Sequence, residues 1–242
     1  MSNNIALNKP AYASSFVSPF SAQRAVDGTL TPIRRWLCDS SMPGWLSVDL
    51  GKTYWIQRWV VKHMGAVGWS SPDYNMKNYS LQGSMDNINW TNLDIVANNT
   101  SNSTDRTIPF AQARYVRVNV TTGLNTNQSV ASIADFEVYG TSSLLSGLLL
   151  RAGKSTINLS PPFNPIIFPY TASVPNPITA VTVIPTAQDS SAVITVNGQI
   201  VISGQPSQQI NLNVGQNNIT VNVASSGDDQ NSYTIAVTRS SP

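Results

Sequence analysis

His63 is the only imidazole in this 242-residue chain. A Ser–His–Asp arrangement would have to be built on that one residue. No Gly-x-Ser-x-Gly turn is present to hold a nucleophilic serine. Asp and Glu together number 12, and none stands in a context that would pair one acid with one base. A catalytic site is therefore not expected. Two other stretches carry binding chemistry. Ala25-Val26-Asp27-Gly28-Thr29-Leu30-Thr31 is a tight turn around one carboxylate, which suits either a hard cation or an Asp capping backbone N–H groups. His63 opens a long loop that carries Trp69, Ser70, Ser71, Asp73 and Tyr74, with Gly65 and Gly68 to let it bend. Arg34, Arg35 and Arg106 add planar guanidinium donors elsewhere in the sequence.

The scaffold for these residues is built of strands. No long stretch holds a helical period. Trp45–Leu50 alternates, with Leu46, Val48 and Leu50 on one face and Trp45, Ser47 and Asp49 on the other. Arg114–Val120 alternates in the same way, Phe136–Tyr139 reads as a closing strand, and Gln57–Lys62 and Tyr79–Gly83 flank the long loop. Further on, Ala192–Val196 and Gln199–Ser203 flank Asn197-Gly198, the strongest short hairpin signal. Gln209–Val214 and Asn218–Val223 follow, separated by Gly215-Gln216-Asn217, and Tyr233–Thr238 closes this part. Seven prolines between 161 and 185 exclude helices there.

Composition divides the chain near residue 141, at Gly140-Thr141-Ser142-Ser143, which reads as a linker. All six Trp, His63 and Cys38 precede it. The charges after it cancel, so the N-terminal part carries the whole net +2. Two domains are expected, 1–141 and 142–242. Only 11% of residues are charged, against about 25% ordinarily, and Asn, Ser, Thr and Gln take their place. No basic run marks a nucleic-acid partner, and no stretch approaches a membrane span. A lone Cys38 excludes an intrachain disulfide framework and is expected to be a small buried hydrophobe. Met1–Asn4 lacks the basic start and apolar core of an export signal, so the chain reads as a piece of a longer exported protein.

Ordered segments then carry a resemblance. They are Ile5-Ala6-Leu7-Asn8-Lys9-Pro10-Ala11, Ala25-Val26-Asp27-Gly28, Trp45–Gly51, Asn78–Gln82 with Asn89-Trp90, Ala113–Val118 and Asp135–Gly140. In that order they resemble the discoidin, or coagulation-factor V/VIII type C, family, and among its members the bacterial carbohydrate-binding modules of family 32. Leu144–Leu149, Phe163-Asn164-Pro165, Tyr170–Pro175, the Asn197-Gly198 hairpin and Tyr233–Arg239 resemble the cadherin-like β-sandwich repeat of bacterial surface proteins. The implied fold class is all-β: an N-terminal jelly-roll β-sandwich of the galactose-binding-domain type, then an immunoglobulin/cadherin-like β-sandwich. The implied protein is a secreted or cell-surface, monomeric, non-catalytic carbohydrate-binding module with a spacer, cut from a bacterial polysaccharide-active enzyme. The alternative is a surface adhesin that binds a protein or a phospholipid.

The resemblance also implies sites. Calcium would be held by the Arg24 carbonyl, the Asp27 carboxylate, the Thr29 carbonyl, a threonine hydroxyl such as that of Thr31, the Ala134 carbonyl and the Asp135 carboxylate. This chain departs from the family by the extra Pro32-Ile33-Arg34 after the turn, and by Asp135 where the family has Glu. A glycan needs an aromatic platform and planar polar partners. Trp69 with His63, Tyr74 and Arg106 would supply them, with Arg34 and Arg35 at the edge. Trp36, Trp45, Trp55, Trp59 and Trp90 are assigned to core or inter-loop packing, and His63 has an equally good reading as a satisfied structural histidine.

Overall fold

The computed structural model describes residues 4–39, 42–69, 72–225 and 229–242. The chain divides into two compact units, Met1–Gly140 and Thr141–Pro242. Among the described residues there is no α-helix, only three short 3-10 turns.

The first unit holds eight strands: β1 Ala11–Ala13, β2 Trp36–Cys38, β3 Gly44–Lys62, β4 Met76–Ser84, β5 Thr91–Val96, β6 Ser103–Leu124, β7 Ala131–Ile133 and β8 Asp135–Thr141. The runs Trp45–Leu50 and Gln57–Lys62 are one strand, β3, broken in register between Asp49 and Tyr54 and again between Ile56 and Arg58. Across those irregularities β3 stays paired with the same strand, β6. Its first half pairs with β1 and with the second half of β6, and its second half pairs with the first half of β6. The sheet runs β1-β3-β6-β4-β5, with β8 also on β3, and β2 pairs separately with β7.

Alternation decides which side chains fill the interior. Leu46, Val48 and Leu50 from β3, and Val116, Val118 and Val120 from β6, are fully buried, with Trp36, Trp59 and Phe136 among them. Trp45, Trp55 and Trp90 are only half-buried, so Trp36 and Trp59 are the core tryptophans. Their polar edges are satisfied: Trp36 Nε1 donates to the Ser15 carbonyl at 2.9 Å and Trp59 Nε1 to Asp94 at 3.0 Å. Cys38 is buried, as a small hydrophobe would be.

The second unit holds β9 Leu145–Ala152, β10 Ser155–Ile157, β11 Pro169–Val174, β12 Ala180–Ala187, β13 Val193–Val196, β14 Gln199–Val201, β15 Ile210–Asn211, β16 Gly215–Ala224 and β17 Gln230–Arg239. They form sheets β10-β9-β12-β15 and β11-β17-β16-β13-β14. Asn197-Gly198 turns the β13–β14 hairpin, with φ of 48° and 82°. Two local expectations are corrected. Gly215-Gln216-Asn217 does not separate strands but begins β16, paired to Thr238 and its neighbours, and only Ile210–Asn211 of the expected Gln209–Val214 strand forms. Within the second unit, Asp229 accepts from the Thr141 hydroxyl at 2.8 Å and from the Ser142 and Ser143 amides at 2.8 and 3.2 Å.

Candidate functional site

Beyond β3 the chain makes a 3-10 turn over Met64–Val67, closed by Gly68 at φ 91°, where a side chain would be strained. A second 3-10 turn covers Pro72–Tyr74. Ser70 and Ser71, expected at the site, lie outside the described residues. What fixes this loop is asparagine. Asn75 is fully buried. Its Oδ1 accepts from the Gly65 amide at 3.1 Å, and its Nδ2 donates to the Thr100 carbonyl at 3.1 Å and to Asn102 Oδ1 at 3.0 Å. Asn125 Nδ2 faces the carbonyls of Pro72, Asn75 and Asn99 at 2.9–3.1 Å. Side-chain amides thus join the β3–β4, β5–β6 and β6–β7 loops, supplying partners to backbone groups that no sheet can satisfy. Gly65 has a role other than bending: a Cβ there would strike the Asn102 side-chain amide. Nothing in the sequence pattern marks these asparagines, because a capping amide has no periodicity.

His63 is corrected from ligand contact to structural residue. It is fully buried, so no ligand at the surface reaches it. Nε2 lies 3.0 Å from the Tyr79 hydroxyl and 3.3 Å from Asn99 Nδ2, while Tyr79 also bonds the Thr104 hydroxyl. Burial disfavours the charged imidazolium and lowers its pKa to about 4. Burial likewise raises the Tyr79 phenol to about 12, so both groups are neutral near pH 7. Arg106 is also corrected. It pairs with Asp94 at 3.0 Å and donates to the Ile95 carbonyl. In the β3–β6 register it stands opposite Trp59, four residues back along β3 from His63, or about 13 Å at strand rise. It is a sheet residue, not a loop-end one.

Trp69, Tyr74 and Arg35 do come together. The Trp69 and Tyr74 rings meet edge-to-face at 5.0 Å and 85°, and each residue stays 38% exposed. The Arg35 guanidinium lies 4.0 Å from the Phe20 ring centroid and 5.4 Å from that of Trp69, and Nη1 donates to the Pro32 carbonyl. Phe20 went unmarked in the sequence because it stands outside any alternating run. This cluster is an open aromatic ledge with a planar donor at its edge. That can stack the C–H face of a ring and hydrogen-bond its rim.

Arg34, by contrast, turns to the Asp27 turn, with Nη2 2.5 Å from Asp27 Oδ2. Asp27 Oδ1 accepts from the Thr29 amide at 2.8 Å, and Arg24 Nη1 donates to the Ile33 carbonyl. Two buried oxygens remain without a hydrogen bond, Asp27 Oδ2 and Thr31 Oγ1; the Arg34 contact is ionic and leaves Oδ2 without an aligned donor. Ala134 is buried, its amide bonded to the Lys62 carbonyl. Next to it, Asp135 is nearly buried, and its pKa is raised by burial first and then by Glu137 and the Asp27 charge. Lys62 favours Glu137 instead, at 2.8 Å against 3.8 Å to Asp135. Among the described residues no three His, Cys, Asp or Glu side chains gather as a metal cluster, so a cation here would depend on carbonyl and hydroxyl oxygens.

A family model described as a NedA-like, galactose-binding domain of the F5/F8 type C kind matches residues 24–118. The chain is 30% identical to chitosan-binding module 1 of a chitosanase/glucanase from Paenibacillus sp. IK-5, spanning 100% of that chain and 58% of this one at a TM-score of 0.49. The chain belongs to the F5/F8 type C family. A model described as a cadherin-like beta sandwich domain matches residues 152–240, beyond the F5/F8 type C domain. That domain shares its fold with the family 32 carbohydrate-binding module of EndoD from Streptococcus pneumoniae, at 24% identity, 57% of this chain, 99% of that one and a TM-score of 0.51. It is also similar to a Clostridium perfringens module solved with GalNAc-β-1,3-galactose, at 19% identity, 58% and 100% coverage and a TM-score of 0.49. No curated protein matches the chain.

Proposed function

We propose that the F5/F8 type C domain binds a glycan on the ledge formed by Trp69, Tyr74 and Arg35, and that the second domain is a spacer. The whole acts as a non-catalytic targeting module of a secreted bacterial polysaccharide-active enzyme. The observation that carries this reading is the pair of exposed, mutually perpendicular rings beside a guanidinium, on a loop that buried asparagines hold in place. The family membership and the relatives named as carbohydrate-binding modules support it. His63 is buried against Tyr79 and Asn99, which removes it as a surface base. A lipid-binding tip is less well supported, because Val67 is half-buried and Trp69 packs on Tyr74. No helix among the described residues is long and apolar enough to cross a membrane.

Calcium belongs to the same proposal, as a structural ion. Thr31 Oγ1 without a partner, Asp27 Oδ2 held only by the Arg34 ion pair, and a buried Asp135 carboxyl short of positive charge suit a hard cation. Arg24, Thr29 and Ala134 would add carbonyls. Calcium would neutralise the turn and tie it to β8, with Arg34 released from Asp27.

The test of the glycan site is Trp69→Ala. A ledge of this kind gives a Kd of order 0.1–1 mM, and loss of the stacking ring costs about 1–2 kcal/mol. Binding should fall about tenfold by calorimetry with the melting temperature nearly unchanged. A variant that binds a confirmed glycan as tightly as wild type removes the ledge from the site.

A further inference from the structure

We infer that the ledge selects glycans bearing a negative charge, a carboxylate or a sulfate ester, and that Arg35 is the residue that reads it. This deepens the glycan-binding reading and rests on it.

The guanidinium groups of this domain differ in where they find their counter-charge. Arg34, Arg58, Arg106 and Arg114 each pair with a carboxylate: Asp27, Asp105, Asp94 and Asp49. Arg35 does not. Its contacts among the described residues are the Pro32 carbonyl and the faces of Phe20 and Trp69, all uncharged. A guanidinium carries five N–H donors, so a single carbonyl leaves most of them open. It is half-buried, and desolvation lowers its pKa, the mark of a cation drawn out of water without an anion beside it. The two rings hold its plane in one orientation. A planar, pre-oriented fork of donors matches the two oxygens of a carboxylate or sulfate better than it matches single hydroxyls. Asp27, eight residues before it, is occupied by Arg34 and does not compete for it.

A stacked arginine can also be mere packing, and the same domain supplies that comparison. Arg117 lies 4.2 Å from the Trp90 ring centroid and donates from Nε to Gln82 Oε1. It sits within β6, away from the β3–β4 loop and its exposed rings. Arg35 borders the exposed Trp69 ring, which itself meets Tyr74, so its open donors lie beside the space a stacked sugar would fill.

The test is an array of neutral, carboxylated and sulfated glycans on the full chain, followed by calorimetry on the strongest binder of each class. Probes would include galacturonate, galactose and sulfated galactose oligomers of equal length, in low and high salt. The best binders should be anionic, and their affinity should fall with salt as a screened charge pair requires. Arg35→Gln should weaken anionic ligands about tenfold more than it weakens neutral ones, since the neutral ligands lose a hydrogen-bond donor but no charge pair. Arg117→Gln should change neither. Arg35→Lys keeps the charge without the fork and should retain part of the anionic preference. The carboxylated and sulfated arms say which anion is preferred. Neutral glycans ranking first, or Arg35→Gln weakening both classes equally, overturns the selection and leaves glycan binding standing. No binding to any class overturns the glycan-binding reading itself.

Discussion

Asn75→Ala puts the loop scaffold to a quantitative trial. The side chain is fully buried and makes three hydrogen bonds, to the Gly65 amide, the Thr100 carbonyl and Asn102 Oδ1. Alanine removes all three at once and leaves the Gly65 donor without its partner in a buried setting. With each such loss near 1 kcal/mol, and more where a buried group is stranded, the total is about 3 kcal/mol. In a domain of this size that lowers the melting temperature by about 8–12 °C. All six tryptophans precede residue 141, so tryptophan fluorescence follows this domain alone while the second stays silent. The same variant should weaken glycan binding, because the amide that fails is the one that anchors the turns before and after Trp69. If Asn75→Ala melts within about 3 °C of wild type, the loop is held by something other than its asparagines and the scaffold argument fails.

Other outcomes follow from single sites. His63 has a folded pKa lowered to about 4 against an ordinary 6.5, so the unfolded chain takes up its proton first; stability should fall by about 3 kcal/mol as pH drops from 6.5 to 4 and level off below. His63→Gln should flatten that difference in urea unfolding followed by tryptophan fluorescence. Comparing variant with wild type cancels the opposite contribution of Asp135, whose raised pKa adds stability on acidification. Calcium should raise the melting temperature of the first domain, chelator should reverse the gain, and Asp27→Ala should abolish the difference. Equal melts with and without calcium, and no ion by elemental analysis, dispose of the site. The second domain alone, Thr141–Pro242, has no tryptophan and should fold without affinity for any glycan the full chain binds; retained affinity would relocate the site.

The strands and their interior faces were legible in the order of residues alone. Alternation at Leu46, Val48 and Leu50 and at Val116, Val118 and Val120 is a property of consecutive residues, and burial follows from it directly. Asn197-Gly198 fixed a hairpin for the same reason, since a type of turn depends on two neighbouring residues. The exposure of Trp69 had a local sign too, an aromatic in a Gly/Ser/Pro loop with no periodic partner. The rest depended on contacts far apart in sequence. That His63 faces inward onto Tyr79, 16 positions away, is set by where β3 ends against β4. That Arg34 takes Asp27 while Arg35 takes Phe20 and Trp69 is a choice between adjacent, chemically identical side chains, and only the backbone direction at Pro32–Arg35 makes it. Arg106 was drawn off by Asp94 of β5, a strand that pairs with β4 rather than with β6, and no local pattern announces that contact. The asparagine net is the extreme case: each amide is an ordinary polar residue until the fold leaves a backbone group beside it without a partner, and that requirement exists only in three dimensions.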